Sequence, residues 1–162
     1  MPRLWSGNSG WTNLLFFIQA GPLSLCMKLI KLGGSIITDK TRECTLRKDM
    51  LQRLVGEMKA LGGETFLLVH GAGSFGHVKA RQWDVNSGIR PGDSVSERLE
   101  GMARVQMDVR RLNHHVMEAL CSAGFAAAAF PPGVLGEMTD GVLTRFDTHM
   151  IAKAQHTGLV PV

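Results

Sequence analysis

The sequence has no tyrosine, and only 6% of its 162 residues are aromatic. Aromatic side chains interleaved with runs of arginine and lysine are typical of nucleic-acid binders, so their shortage argues against that class. No apolar run approaches the roughly 18 residues that a membrane-spanning helix requires. With 44% hydrophobic and 20% charged residues, the composition is that of a globular domain, which excludes disordered and fibrous chains.

Cysteine is also scarce, and its three positions are Cys26, Cys44 and Cys121. An odd number of cysteines without metal-ligand spacing indicates neither a disulfide framework nor a zinc site. The pattern predicts reduced thiols and therefore a cytoplasmic location. Eighteen basic residues against fourteen acidic ones give a net charge of +4, which favours an anionic ligand or, alternatively, a plain basic surface.

The two ends of the chain differ from its middle. Residues 1–26 contain one basic residue, Arg3, and no acidic one, which indicates an extension that is neither a secretory signal nor a transit peptide. We predict the folded domain over residues 27–162. Residues 159–162 look like the first residues of a buried parallel strand. We therefore expect a chain cut inside a sheet, and a short edge strand is the alternative.

Between these ends, apolar strands alternate with amphipathic helices. Strands are predicted at 28–32, 65–69 and 125–130. Helices are predicted at 46–61, near 78–83, at 94–123 and at 147–156. Strands that alternate with helices predict an α/β fold with a mainly parallel sheet.

Glycine-rich turns follow the first two predicted strands, at residues 33–35 and 70–77. Ligands of parallel sheets bind beyond the carboxyl ends of the strands, where glycines let backbone N–H groups approach an anion. The two turns together therefore predict a polyphosphate site, although each alone is also compatible with a tight connection. Lys31 and Lys40 flank the first turn and would offset phosphate charge if they converge on this site.

The second turn satisfies two general nucleotide motifs only in part. Its glycines match G-x-G-x-x-G, but the acidic residue expected about 20 positions later does not follow a strand, because Asp93 lies in a Pro/Gly loop. The P-loop spacing fails as well, since His77 and Val78 stand where lysine and serine or threonine are needed. A dinucleotide-binding domain is therefore the weakest alternative.

Three segments carry a family resemblance: Lys-Leu-Gly-Gly-Ser at 31–35, Ile-Thr-Asp-Lys at 37–40, and Val-His-Gly-Ala-Gly-Ser-Phe-Gly-His at 69–77. They resemble the amino acid kinase superfamily and, within it, the N-terminal portion of the isopentenyl phosphate kinases. The resemblance implies a three-layer sandwich of helices around the sheet. It also implies ATP-dependent phosphorylation of isopentenyl phosphate to isopentenyl diphosphate, a step of isoprenoid biosynthesis, with ATP and Mg²⁺.

The resemblance also implies roles for individual residues. Lys40, with Lys31, would stabilise the transferring phosphoryl group, and His77 would hydrogen-bond the acceptor phosphate. The residues implied to contact ATP are Lys31, Gly33, Gly34, Ser35 and Gly73. The residues implied to contact the substrate are Ala72, Gly76 and His77. Ala72 stands where the family commonly has glycine, which matters only if this position needs a positive φ.

Other functions stay open at this stage. The chain would alternatively be another small-anion kinase of the superfamily, acting on a carboxylate, carbamate or phosphonate, or a non-catalytic fragment that binds or dimerises. The family's further nucleotide contacts lie beyond Val162, so we expect the chain not to be a competent kinase by itself. A homodimer is implied by the resemblance, while neither a nucleic acid nor a membrane is expected as a partner.

Three further features receive a structural interpretation. The apolar face of the helix at 94–123 is expected to be core for the most part, with a wall for the isoprenoid tail as the alternative. His114 and His115 are adjacent in that helix and point apart, which argues against a metal site. His70, at the end of a buried strand, is expected to satisfy a local hydrogen bond.

Overall fold

The computed structural model describes residues 28–60, 62 and 65–162, so the predicted extension at 1–26 lies outside the described residues. The strands are β1 (Lys28–Leu32), β2 (Phe66–His70), β3 (Ala127–Ala128), β4 (Gly136–Thr139), β5 (Val142–Phe146) and β6 (Val160–Pro161). The helices are α1 (Gly34–Ile37), α2 (Lys48–Ala60), α3 (Gly73–Gln82), α4 (Val95–Ser122), α5 (Pro132–Leu135) and α6 (His149–His156), and a 3₁₀ turn spans Val85–Ser87.

The predicted α/β architecture with parallel strands is confirmed. β1 pairs in parallel with β2, so that Lys28 lies opposite Phe66 and Leu32 lies opposite His70. β3 pairs in parallel with β6, and β6 also lies beside β2. Parallel neighbours require a crossover, which α2 supplies between β1 and β2. The carboxyl ends of β1 and β2 therefore lie side by side, and both glycine turns begin there.

The core lies between the β1–β2 pair and two amphipathic helices. Alternate residues of each strand point to one face, and apolar residues three or four apart in α2 and α4 face them. The core residues of the strands and of these helices are Ile30, Leu32, Phe66, Leu68, Leu51, Leu54, Val55, Met58, Leu112, Val116 and Leu120. Burial of one such side chain stabilises the fold by about 1.5–3 kcal/mol, so the strand ends are firmly placed.

Helix α3 begins earlier than the sequence predicted. It starts at Gly73 rather than near Val78, because Ala72 is right-handed helical (φ −65°, ψ −26°) and its carbonyl accepts a 3.1 Å bond from Phe75 N. The second half of the predicted glycine turn is thus the first turn of a helix. His77 consequently lies inside α3 and not before it.

The segment after α4 also differs from the prediction. The strand expected at 125–130 is reduced to β3, and no element was predicted for residues 132–146, which form α5 and the antiparallel β4–β5 hairpin. The hairpin turns at Asp140 and Gly141, whose φ angles of 49° and 78° are those of a two-residue turn with positive φ at both positions. An Asp-Gly pair favours this turn, so the signal was present in the sequence.

Helix α4 confirms the predicted long helix, and Ser94 caps it by accepting a 3.5 Å hydrogen bond from Glu97 N. Its apolar face is not uniform. Leu112 and Val116 are fully buried, whereas Leu99 and Met102 are nearly half exposed. The core interpretation therefore holds for the C-terminal half of α4 only. Among the described residues, no helix combines the length and the apolar character needed to cross a membrane.

Candidate functional site

The two glycine turns lie directly against each other. A Cβ on Gly34 would stand 2.7 Å from Gly73 Cα, and a Cβ on Gly71 would stand 2.8 Å from Gly34 N, closer than real Cβ contacts. Gly73 also has a φ of +51°, which L side chains rarely adopt. Glycine is therefore required at these positions, because the two backbones touch.

A buried threonine joins the two turns. Thr38 is fully buried, and its hydroxyl donates to Gly34 O at 2.6 Å while it accepts from Ser74 N at 2.9 Å. Ser74 is also buried, and its own hydroxyl accepts from Thr45 N at 3.3 Å. These bonds hold the end of α1, the start of α3 and the loop between α1 and α2 in one arrangement.

Lys40 projects from the tip of that loop. The loop is closed by an antiparallel bridge between Thr38 and Leu46. Inside it, Asp39 Oδ1 accepts from the backbone N and the hydroxyl of Thr41, at 2.9 and 2.7 Å, and these two bonds lower the pKa of the Asp39 carboxyl. The aspartate is thus engaged within its own turn, and the side chain of Lys40 is exposed beside it.

The elements described above enclose a cavity of about 520 Å³. We call it the cation cavity because basic side chains line it, not because it would bind a cation. Its lining consists of Gly34, Ser35, Lys40, Gly73, Ser74, His77, Val78 and Arg81. The structure thus brings five predicted site residues together: Gly34, Ser35, Lys40, Gly73 and His77. The lining contains no carboxylate, and three of its side chains are basic, so the cavity is suited to an anion.

The other predicted site residues do not line the cation cavity. Lys31 is exposed on β1, and the carbonyl of Gly33 accepts from Ile36 N at 2.9 Å, which begins α1. Gly76 lets α3 approach α4, because a Cβ there would lie 3.1 Å from Val109 Cγ2. Ala72 has a negative φ, so alanine is unstrained there, and it lines a neighbouring apolar cavity of about 470 Å³.

Sequence reasoning missed two kinds of residue. Arg81 and Val78 line the cation cavity because α3 begins at Gly73, which puts Arg81 one turn after His77 on the same face. A predicted helix that began at Gly73 would have revealed this spacing. Thr38 and Ser74 support the cavity through bonds between segments 36 residues apart, and no local pattern indicates such a pairing.

His70 makes the local hydrogen bond that was expected of it. Its Nε2 lies 3.1 Å from Nδ2 of Asn113 on α4, and its Nδ1 lies 3.4 Å from Gly71 O. Burial lowers the pKa of His70, which favours the neutral ring. A neutral ring with Nδ1–H toward Gly71 and Nε2 accepting from Asn113 satisfies both contacts, so His70 holds β2 to α4.

An ionic cluster lies on the side of α3 away from the cation cavity. Asp108 of α4 is 4% exposed and accepts hydrogen bonds from Lys79 of α3 and Arg111. Burial favours the neutral acid, but these bonds outweigh it and hold the pKa of Asp108 below its usual value. Glu43 completes the cluster, 3.4 Å from Lys79. Glu43, Cys44 and Asp108 lie close enough together to hold a metal. The Asp108 carboxylate, however, is already neutralised by Lys79 and Arg111.

Comparisons with known proteins show the family. The family model of the amino acid kinase family matches residues 27–162. An isopentenyl phosphate kinase of Methanothermobacter thermautotrophicus is 34% identical over 137 residues, which are 84% of this chain and 52% of that protein. An isopentenyl phosphate kinase of Arabidopsis thaliana is 30% identical over 172 residues, covering 83% of this chain and 51% of that protein.

Solved structures show the same likeness. An X-ray structure of isopentenyl phosphate kinase superposes with a TM-score of 0.78 at 34% identity, covering 84% of this chain and 56% of that one. The product complex of the Thermoplasma acidophilum isopentenyl phosphate kinase gives 0.69 at 31% identity, covering 84% and 53%. The chain spans about half the length of the curated relatives it matches. Because the family model matches nearly all of the described fold, the chain belongs to the amino acid kinase family.

Proposed function

We propose that this chain carries the phosphate-binding part of an ATP-dependent kinase that converts isopentenyl phosphate to isopentenyl diphosphate. The observation that carries the proposal is the cation cavity, which Lys40 and His77 line together with Gly34 and Gly73 of the glycine contact. The names of the relatives support the choice of acceptor. The Gly-Ser-Phe-Gly-His segment at 73–77 of this chain adds a histidine donor suited to a phosphate.

The chemistry needs positioning and charge neutralisation more than a base. A phosphate monoester has a second pKa of about 6, so the attacking oxygen is already ionised at neutral pH. His77 would donate a hydrogen bond to the acceptor phosphate and hold it for in-line attack. Lys40 would neutralise the charge on the transferring group, beside the backbone of Gly34 and Gly73 in the cavity lining.

The described residues fit ATP phosphates but not a protein-bound Mg²⁺. Gly34 and Gly73 line the cavity beside the basic side chains of Lys40, His77 and Arg81, and a lining of this charge fits a polyphosphate. Mg²⁺ is usually held through one or two carboxylates together with substrate phosphates, and no carboxylate lines the cation cavity. Mg²⁺ stays part of the proposal as a companion of ATP, and none of the residue roles depends on it.

The remaining assignments are part of the same proposal. Lys31 and Gly33 would reach ATP from the edge of the cavity, and Ala72 and Gly76 would act through the backbone or through packing. Val78 in the cavity lining supports an apolar wall for the isoprenoid tail, whereas Leu99 and Met102 of α4 are about half exposed and do not line the cavity. A domain over 27–162, a homodimer and a cytoplasmic location complete the proposal, the last supported by the free thiols of Cys44 and Cys121.

Replacing His77 tests the proposed function. We expect isothermal titration to show binding of isopentenyl phosphate to the 162-residue protein. His77→Ala should weaken this binding by about tenfold or more, because a hydrogen bond to a charged group contributes about 1.5–3 kcal/mol. His149→Ala removes another exposed histidine, from the first turn of α6, and should change nothing.

Two results would contradict the proposal: no binding of isopentenyl phosphate, or equal affinity in the wild type and His77→Ala. Turnover with ATP is measured in the same preparations. Turnover by the 162-residue chain would overturn the separate expectation that it is not competent by itself, and would support the proposed reaction directly.

A further inference from the structure

Arg81 is an arginine of the cation cavity that neither the family resemblance nor the glycine motifs pointed to. It lines the cavity together with Lys40 and His77, and its side chain has no carboxylate partner among residues 28–60, 62 and 65–162. Two arginines of α4, in contrast, are paired, Arg98 with Asp93 and Arg104 with Glu100. An unpaired guanidinium at a cavity free of carboxylates is available to an anionic ligand.

The position of Arg81 on α3 directs it toward the ligand of His77. Residues four apart lie on one face of a helix, with about 6 Å of axial rise between them. Helical side chains tilt toward the N-terminus of their helix, so the long side chain of Arg81 leans back toward His77. The two side chains therefore flank one part of the cavity.

The same spacing separates Arg81 from the contact that would hold ATP. Arg81 lies eight residues after Gly73, which corresponds to about 12 Å along the helix axis. Gly34 and Ser35 lie at the Gly73 end of the cavity. Arg81 therefore belongs to the acceptor end of the cavity, with His77 between it and the glycine contact.

We propose that Arg81 is a second acceptor-binding residue, which with His77 holds the acceptor phosphate as a dianion and selects phosphate monoesters over carboxylates. This inference rests on the proposed function. The guanidinium fork matches two phosphate oxygens at once, whereas lysine offers a point charge. Arg81 and Lys40 bring two positive charges, so a dianion gains more from the cavity than a singly charged carboxylate does.

The test compares ligand affinities of four proteins: the wild type, Arg81→Gln, Arg81→Lys and the control Arg53→Gln. Arg53 is an exposed arginine of α2 that pairs with Glu57 and is absent from the cavity lining. Titrations use isopentenyl phosphate, the carboxylate with the same tail, and a non-hydrolysable ATP analogue. Circular dichroism checks the fold of each variant, and the exposed position of Arg81 predicts that all remain folded.

We expect Arg81→Gln to weaken isopentenyl phosphate binding by about tenfold, the lower end for a charged hydrogen bond at an exposed site. Arg81→Lys should weaken isopentenyl phosphate binding by about threefold, because lysine keeps the positive charge but lacks the guanidinium fork. The affinities for the carboxylate and for the ATP analogue should change much less. Arg81→Gln should therefore reduce the ratio of the affinity for isopentenyl phosphate to that for the carboxylate. Arg53→Gln should bind as the wild type does.

The outcomes separate the inference from the proposed function. If isopentenyl phosphate binds and His77→Ala weakens it while Arg81→Gln does not, the inference is overturned and the proposed function stands. A loss of ATP-analogue binding in place of acceptor binding, or an equal loss for phosphate and carboxylate, also overturns the inference. If the wild type does not bind isopentenyl phosphate at all, both fall.

Discussion

At the scale of single residues, the site depends on glycines at positions where the neighbouring backbone leaves no space for a Cβ atom. Gly34 faces the backbone of Gly73 and Gly71, and main-chain atoms cannot move aside as the end of a flexible side chain can. Gly56 of α2 is the opposite case, since a Cβ there would meet nothing within 4 Å and its φ is not positive. The same substitution should therefore have opposite effects at the two positions.

Gly34→Ala should lower the free energy of unfolding by about 1–3 kcal/mol, the usual cost of overpacking, and should weaken isopentenyl phosphate binding. Gly56→Ala should raise the free energy of unfolding by about 0.5–1 kcal/mol, because alanine is the better helix former. Urea unfolding followed by circular dichroism measures both. A Gly34→Ala protein as stable as the wild type would show that the two turns do not touch in solution.

At the scale of elements, the cation cavity exists because α1, α3 and the loop between α1 and α2 are held together. Thr38 makes this connection through two hydrogen bonds, to Gly34 O and from Ser74 N, and it is fully buried. Cys44 N adds a 3.2 Å bond to Ser74 O from the loop. The placement of Lys40 and His77 at one cavity follows from these bonds.

Thr38→Val keeps the shape of the side chain and removes the hydroxyl. It leaves Ser74 N and Gly34 O without this partner, so the free energy of unfolding should fall by about 1–3 kcal/mol. Thr157→Val is a matched control, since this exposed hydroxyl donates to Ala154 O at a helix end and its loss should cost about 0.5 kcal/mol or less. Equal losses in urea unfolding would contradict the connecting role of Thr38.

At the scale of the whole molecule, the ionic cluster around Asp108 connects the elements of the site to the core. Asp108 lies on the same helix as the core residues Leu112 and Val116, and it binds Lys79 on the far side of α3 from His77. Lys79 also pairs with Glu43 in the loop that carries Lys40. Acid that protonates Asp108 should therefore loosen α3 and the loop together.

The pH dependence follows from the lowered pKa of Asp108. A lowered folded-state pKa contributes stability that is present above the unfolded value, about 3.9, and that is lost as the pH falls through the folded value. Asp108→Asn should cost about 2 kcal/mol at pH 7, less than the 3–5 for a fully buried pair, because Lys79 and Arg111 reach solvent. This difference from the wild type should shrink below about pH 4.

Urea unfolding from pH 3 to pH 8 measures this difference. Asp140→Asn is the control, because this exposed turn residue has a positive φ that asparagine also tolerates. A constant difference between the wild type and Asp108→Asn down to pH 3 would contradict the ionic role of the carboxylate.

Much of the fold was predictable because its signals are local. The apolar runs of β1 and β2 and the periodic apolar residues of α2 and α4 each depend on neighbours within a few positions. The start of α3 was wrong, because a glycine-rich segment favours a turn unless packing against α1 compensates for its low helix propensity. The strand at 125–130 was predicted too long, since β3 covers only Ala127–Ala128, although backbone hydrogen bonds to residues 160–162 run from Ala126 O to Phe130 N. The prolines that follow begin α5.

The sequence by itself determined the alternation of strands and helices, the two glycine turns at the carboxyl ends of neighbouring strands, and the family. These features depend on chain-local periodicity and on a short motif. Only the tertiary structure decided which residues of those turns face one cavity. It brought Lys40, His77 and Arg81 together, linked Thr38 to Ser74, and assigned Gly76 to helix packing. The physical reason is that contacts between distant segments depend on how buried faces pack, which no local pattern encodes.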